Sequence, residues 1–180
     1  IACSPVSEPI PPASAPKVTV VGMGAEGWAG LSPERRELIL TADAVVGGRR
    51  HLALIPARPG QRREPWPTPL RARLADFIGD LGGGTVVALA SGDPLVSGIG
   101  STLIELLGAD RLRILPAVSS VALARAELGW PAESCAVVSV VGRSPALVLR
   151  ELAPRRRVLV LSADESTPAL VAELLRATGY

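Results

Sequence analysis

Short apolar runs alternate with segments of helical periodicity along almost the whole chain. The runs over 17–22, 44–46, 84–90 and 111–115 are dense in valine, leucine and isoleucine, as strands buried on both faces are. Between and after them the spacing predicts helices over 32–42, 70–81, 98–107 and 119–128. Residues 56–69 carry proline too often for a helix or an inner strand and are expected to form a loop. Strand and helix in regular succession imply right-handed βαβ units and a mainly parallel sheet, an α/β fold.

The sequence Gly129-Trp-Pro131 interrupts this pattern, which then restarts. Strands are expected at 135–141 and 157–162, and helices at 145–152 and 167–178. Three parts follow: a disordered proline-rich leader over 1–16, an N-terminal α/β domain over 17–131, and the start of a C-terminal α/β domain over 132–180.

The place where chemistry would sit comes from Leu89-Ala-Ser-Gly-Asp-Pro-Leu-Val-Ser-Gly-Ile-Gly100. A carboxylate and two flexible glycines stand there where a strand hands over to a helix, the position at which open α/β sheets bind small ligands. An ordinary turn with Pro94 at the first helical position fits the same residues. Nearer the start, Gly22-Met-Gly24-Ala-Glu-Gly27 matches the GxGxxG pattern after a strand. A nicotinamide site also needs an acid at the end of the next strand. Here that strand runs into Val46-Gly-Gly-Arg49, and Asp43 precedes it. A tight turn that needs glycine on steric grounds competes with any ligand reading of these glycines. Ser119 and Ser120 open a predicted helix, where hydroxyls and free amides can hold a carboxylate or simply cap the helix.

Composition narrows the classes. Hydrophobic residues make up 48% of the 180, which excludes disorder for most of the chain. With three tryptophans, one tyrosine and one phenylalanine, the core has to be aliphatic. A formal charge of +2 does not advertise nucleic acid. Lys17 is the one lysine among 19 basic residues, and arginine forks suit carboxylates and phosphates. Cys3, Cys135 and His51 are too few for a zinc site or a disulfide framework, so no metal is expected. Ile1-Ala-Cys3-Ser4 lacks the apolar region of a lipoprotein signal and is not read as one. No apolar stretch reaches the roughly 18 residues of a membrane helix. The expectation is a cytoplasmic protein with neither a membrane nor a nucleic-acid partner.

Four segments in order, Val18-Thr-Val-Val-Gly-Met-Gly24, Val45-Val-Gly-Gly-Arg-Arg-His-Leu52, the Asp93 loop and Ile114-Leu-Pro-Ala-Val-Ser-Ser120, together resemble the tetrapyrrole methylase family. These are S-adenosylmethionine-dependent enzymes of two α/β domains with the cofactor cleft between them. The resemblance runs from about Lys17 to the last residue. Gly-Gly-Arg-Arg-His-Leu and Val138-Ser-Val-Val-Gly-Arg143 look most like the cobalamin-pathway branch, and there like the C5-methylating domain of enzymes acting on precorrin-6Y. Two positions depart from the family pattern: Ala25, where proline is usual, and Ala117, where glycine is usual.

The resemblance implies a C-methyltransferase in cobalamin biosynthesis that takes S-adenosylmethionine and a precorrin. It implies cofactor contacts from Gly22, Gly24, Ala25, Gly92, Asp93, Val96, Ser119, Ser120 and Ser162. Arg49, Arg50 and Arg143 would pair with the substrate's acetate and propionate groups, although a solvated charged loop fits Arg50 as well. No catalytic residue is singled out, and His51 reads as a packing or hydrogen-bonding residue. Family members form homodimers and continue beyond the equivalent of Tyr180 with further strands, so the second domain is expected to be incomplete here. Alternatives are a methylase of the same fold acting on RNA or protein, a nicotinamide oxidoreductase, and a ligand-binding fragment without turnover.

Overall fold

The computed structural model describes residues 18–180, so the expected leader over 1–16 lies outside the described residues. Among the described residues seven strands and six α-helices follow one another in near-regular alternation. The first part contains β1 (Val18–Met23), α1 (Pro33–Thr41), β2 (Ala44–Gly47), α2 (Arg49–Leu54) and β3 (Arg62–Pro65). It continues with α3 (Leu70–Asp80), β4 (Val86–Ser91), α4 (Ile99–Leu107), β5 (Leu112–Leu115) and α5 (Ser120–Leu128). After the break come β6 (Cys135–Ser139), β7 (Arg157–Leu161) and α6 (Thr167–Ala177).

The first five strands form one parallel sheet in the order β3-β2-β4-β1-β5. Its inner strands are almost wholly apolar because both faces are covered, Thr19 of β1 and the terminal Ser91 of β4 being the polar positions. Side chains alternate across the pleat. Val18 and Val20 of β1, with Val86 and Ala88 of β4, pack under Leu74 and Ile78 of α3 and Leu103 of α4. Val21 and Met23, with Val87 and Leu89, face Leu31, Ile39 and Ile55 on the other side. All these residues are buried, which fixes register: a slip by one residue would exchange the two faces.

Helix boundaries follow local chemistry. Ser32 caps α1, its Oγ accepting from the Arg35 N–H at 3.4 Å, and Pro33 occupies the first turn. Ser119 caps α5 through the Ala122 N–H at 3.2 Å, and Gly129, left-handed at φ 61°, ends it.

Three expectations need correction. The segment 56–69 is not all loop, because β3 adds an edge strand. Arg62 and Trp66 donate to the Asp43 and Gly47 carbonyls, both at 3.0 Å, so the even-numbered residues bond toward β2. Pro65 falls on the opposite phase, and its missing N–H costs no ladder bond. Second, 145–152 is a 3₁₀ turn over Pro145–Glu151 rather than an α-helix. The segment is short, and Pro154 disfavours α conformation just before it. Third, the solvated loop, the alternative for Arg50, is not formed, because Arg49, Arg50 and His51 open α2.

Strands β6 and β7 pair in parallel as a separate two-stranded sheet. Val138, Val140 and Val148 form its small core, against which Val158, Val160 and Val171 pack. A pair of strands over one small cluster is weaker than a five-stranded sheet covered on both faces. Amides of β6 and β7 should therefore exchange with solvent faster than those of β1, β2 and β4 in a hydrogen-exchange experiment. Equal protection across both sheets would contradict this account.

Candidate functional site

The C-terminal ends of β1, β4 and β5 meet above the sheet, joined by backbone. The Gly92 N–H donates to the Met23 carbonyl at 2.7 Å, and the Gly92 carbonyl accepts from the Ala117 N–H at 3.0 Å. Side chains are excluded here. A Cβ on Gly22 would lie 2.0 Å from the Gly92 oxygen, and one on Gly92, left-handed at φ 52°, would lie 2.9 Å from Ser119 Cα. The steric reading of the Gly22 turn is therefore realised in the fold.

Over this seam opens a cavity of about 630 Å³, within the range of small-molecule sites. Gly24 and Ala25 line it from the β1 turn, Gly92, Asp93 and Val96 from the β4 loop, and Ser119 and Ser120 from the start of α5. Ser162, which follows β7, faces the same space. Eight of the nine expected cofactor positions thus meet in one cleft. The ninth, Gly22, lies beneath it and borders a smaller neighbouring cavity.

Asp93 Oδ1 accepts from the Leu95 N–H at 2.9 Å, which fixes the loop. Ser119 Oγ serves as the α5 cap while facing the cavity, so capping and lining coincide in one residue. Val96, Leu123, Val118 and Leu161 supply apolar wall. The arrangement offers the Asp93 carboxylate and the Ser119, Ser120 and Ser162 hydroxyls around an apolar slot, chemistry suited to a zwitterion carrying a flat nucleoside.

The three expected substrate arginines separate. Arg50 lines the cavity and is exposed at its mouth. Arg49 is exposed on α2 outside the lining, and Arg143 lies in an exposed turn after β6. The helical winding of α2 explains the first split, since neighbouring residues on a helix point about 100° apart.

Among the lining residues that had no role in the sequence reading, Ser91 and Trp66 matter most. Ser91, the last residue of β4, has its Oγ 3.0 Å from His51 Nε2, and Arg50 Nη2 approaches that Oγ at 3.5 Å. Burial and then the Arg50 charge hold the His51 imidazole below its ordinary value of 6.5. Trp66 also reaches the cavity, from just after β3. Its signal in the sequence was one large aromatic among prolines, which becomes meaningful only once β3 is known to pair with β2.

Asp43, the acid that precedes β2 in the sequence, sits at the opposite end of the sheet. Its Oδ2 accepts from the Thr85 N–H at 2.7 Å and the Thr85 hydroxyl at 2.9 Å, which hold its carboxyl below the usual range. Glu64, beside Val46 on β3, pairs with Arg62 outside the cavity lining. The end of β2 instead presents Gly48, Arg50 and His51 to the cavity, so no carboxylate stands there to hold a nicotinamide ribose. No helix among the described residues is long and apolar enough to cross a membrane.

A family model for tetrapyrrole (corrin/porphyrin) methylases matches residues 17–180. The chain is 40% identical over 175 residues to a precorrin-6Y C(5,15)-methyltransferase (decarboxylating) from a Sinorhizobium species, covering 97% of this chain and 42% of that protein. It is 36% identical over 165 residues to a cobalt-precorrin-7 C(5)-methyltransferase of Salmonella typhimurium, covering 90% of this chain and 79% of that protein. A solved structure of a cobalamin-biosynthetic precorrin-6Y methylase from Archaeoglobus fulgidus matches with a TM-score of 0.61 at 26% identity, over 81% of this chain and 71% of that one. The chain therefore spans well under half the length of the decarboxylating relative.

The seam beneath the cavity yields a direct test. Gly22→Ala should destabilise the fold by about 1–3 kcal/mol, because the neighbouring atoms are backbone and cannot rotate away. Gly79→Ala, with nothing within 4 Å of the added Cβ on α3, should leave the thermal midpoint unchanged or raise it. An unshifted midpoint for Gly22→Ala would show that the seam is not tight.

Proposed function

The chain belongs to the tetrapyrrole (corrin/porphyrin) methylase family, and from that premise we propose that it transfers a methyl group from S-adenosylmethionine to a ring carbon of a precorrin in cobalamin biosynthesis. The observation that carries this reading is the convergence of the Gly92–Val96 loop, Ser119, Ser120 and Ser162 on one cavity at the C-terminal edge of the sheet. When bound, the cofactor supplies an electrophilic methyl group on a sulfonium. Asp93 and the three serine hydroxyls match its charged and polar ends, and Val96 and Leu123 match its adenosyl face. Gly24 and Ala25 form the backbone wall opposite. Gly22 acts from below by letting the Gly92 loop approach.

The nucleophile is the substrate's own electron-rich carbon, so the protein's main task is alignment and exclusion of water. Arg50 at the cavity mouth would pair with a substrate carboxylate. Arg49 and Arg143, exposed beyond the lining, would meet the more distant acetate and propionate groups of a macrocycle wider than the cavity. The same reading carries a division near Pro131 into domains over 17–131 and 132–180, a homodimer and a cytoplasmic setting. It takes neither nucleic acid nor membrane as a partner.

The test is methyl transfer from labelled S-adenosylmethionine to a precorrin, with calorimetry on two variants. Asp93→Ala and Val96→Asp should each weaken cofactor binding by roughly ten- to a hundredfold, about 1.5–3 kcal/mol, and leave the fold intact. Unchanged affinity in both variants would remove the Asp93 loop from the cofactor site.

A further inference from the structure

Methyl transfer leaves an unbalanced charge that the cofactor pocket does not address. The methyl group arrives without the electron pair of its carbon–sulfur bond, so a neutral substrate becomes cationic unless it gives up a proton. Some group at the cleft has to receive it. The charged or titratable side chains lining the cavity are Arg50, His51 and Asp93. A guanidinium stays protonated and cannot accept. Asp93 is tied to its own loop through Oδ1 and belongs to the cofactor side of the cleft.

We propose that His51, acting through the Ser91 hydroxyl, receives the proton that the tetrapyrrole loses on C-methylation. This inference rests on the methylase reading above. The new carbon–carbon bond forms from the ring's π electrons, and the carbon–sulfur pair remains with sulfur. The substrate proton passes to Ser91 Oγ as the serine's own proton moves to His51 Nε2, and the released C–H pair restores the conjugated ring. No oxidant, metal or further reactant is needed.

The geometry supports each part. His51 is half-buried at the start of α2, and Ser91 ends β4, adjacent to the Gly92–Asp93 loop. The 3.0 Å separation of Ser91 Oγ and His51 Nε2 is hydrogen-bond distance. Arg50 Nη2 donates to the same Oγ at 3.5 Å, a contact that leaves the serine's own proton available to the imidazole. Burial and the Arg50 charge favour the neutral imidazole near pH 7, and in its Nδ1–H tautomer Nε2 is the acceptor that the relay uses. From β3, packed beside α2, Arg63 is bonded to the Ile55 and Pro56 carbonyls, and Glu64 is paired with Arg62. Neither opposes the Arg50 effect.

His51 is the one histidine in this sequence, and its imidazole is identified by NMR as the resonance lost in His51→Gln. In the whole natural protein that carries this sequence, its titration should lie below the ordinary value and move upward in Arg50→Gln. The acid limb of kcat for methyl transfer should follow that same titration, with activity rising as the imidazole loses its proton. His51→Gln should lower kcat by about a hundredfold or more, flatten the limb, and leave calorimetric affinity for S-adenosylmethionine unchanged. Imidazole added to His51→Ala should restore part of the rate in proportion to its neutral form. An active wild type beside an equally active His51→Gln would overturn this proposal alone. A wild type that binds S-adenosylmethionine but methylates no precorrin would overturn the methylase reading, and this proposal with it.

Discussion

The carbonyl of Gly92 lies 2.0 Å from where a Cβ on Gly22 would stand, and the working end of the sheet is arranged around that approach. Because two glycines meet there, the β4 loop can lean over β1 and still bond to Met23 on one side and Ala117 on the other. Those bonds bring the start of α5 beside the loop and set Ser119 close behind Gly92. A side chain at position 22 would push the loop outward, away from both bonding partners and from the hydroxyls of α5. The cleft is thus a consequence of backbone packing, and its polar groups are carried to it by elements that the aliphatic core holds in register.

Polarity is distributed unevenly within the cleft. One side presents Asp93, Ser119, Ser120 and Ser162 around Val96 and Leu123, a setting for a small amphipathic molecule. The other side, beyond the end of β2, presents Arg50 and His51 with Ser91 beside them at the end of β4. This separation suits a reaction with two different partners, one held by acceptors and hydroxyls and the other by a cation. It also weighs against a dinucleotide, whose ribose needs an acid where Arg50 and His51 stand. The GxGxxG match at Gly22 therefore reports a tight turn and close loop packing.

Much of this was legible in the sequence for a physical reason. Strands covered on both faces read as near-continuous apolar, β-branched runs, so Val18–Val21, with Thr19 its one polar residue, and Val86–Leu89 stand out in the sequence. The glycine and proline punctuation around Asp93 located the strand-to-helix handover, and the order of four motifs carried the family. What escaped depended on tertiary pairing. β3 was hidden because proline is excluded from inner strands and tolerated on an edge, and only the bonding phase shows which case holds. The division among the arginines needed the helical winding of α2. The contact of His51 with Ser91 joins residues 40 positions apart, which no local pattern encodes.

The central claim is that the cavity at the C-terminal edge of the five-stranded sheet is the cofactor site. A crystal structure of the protein with bound S-adenosylhomocysteine tests it most directly. The account predicts the adenosyl and amino-acid portions lodged between the Gly92–Val96 loop and the Ser119–Ser120 start of α5, with the sulfur directed toward the space beside Ser91. Ligand found at another surface, or a cavity left empty under conditions where calorimetry shows the protein saturated, would contradict it.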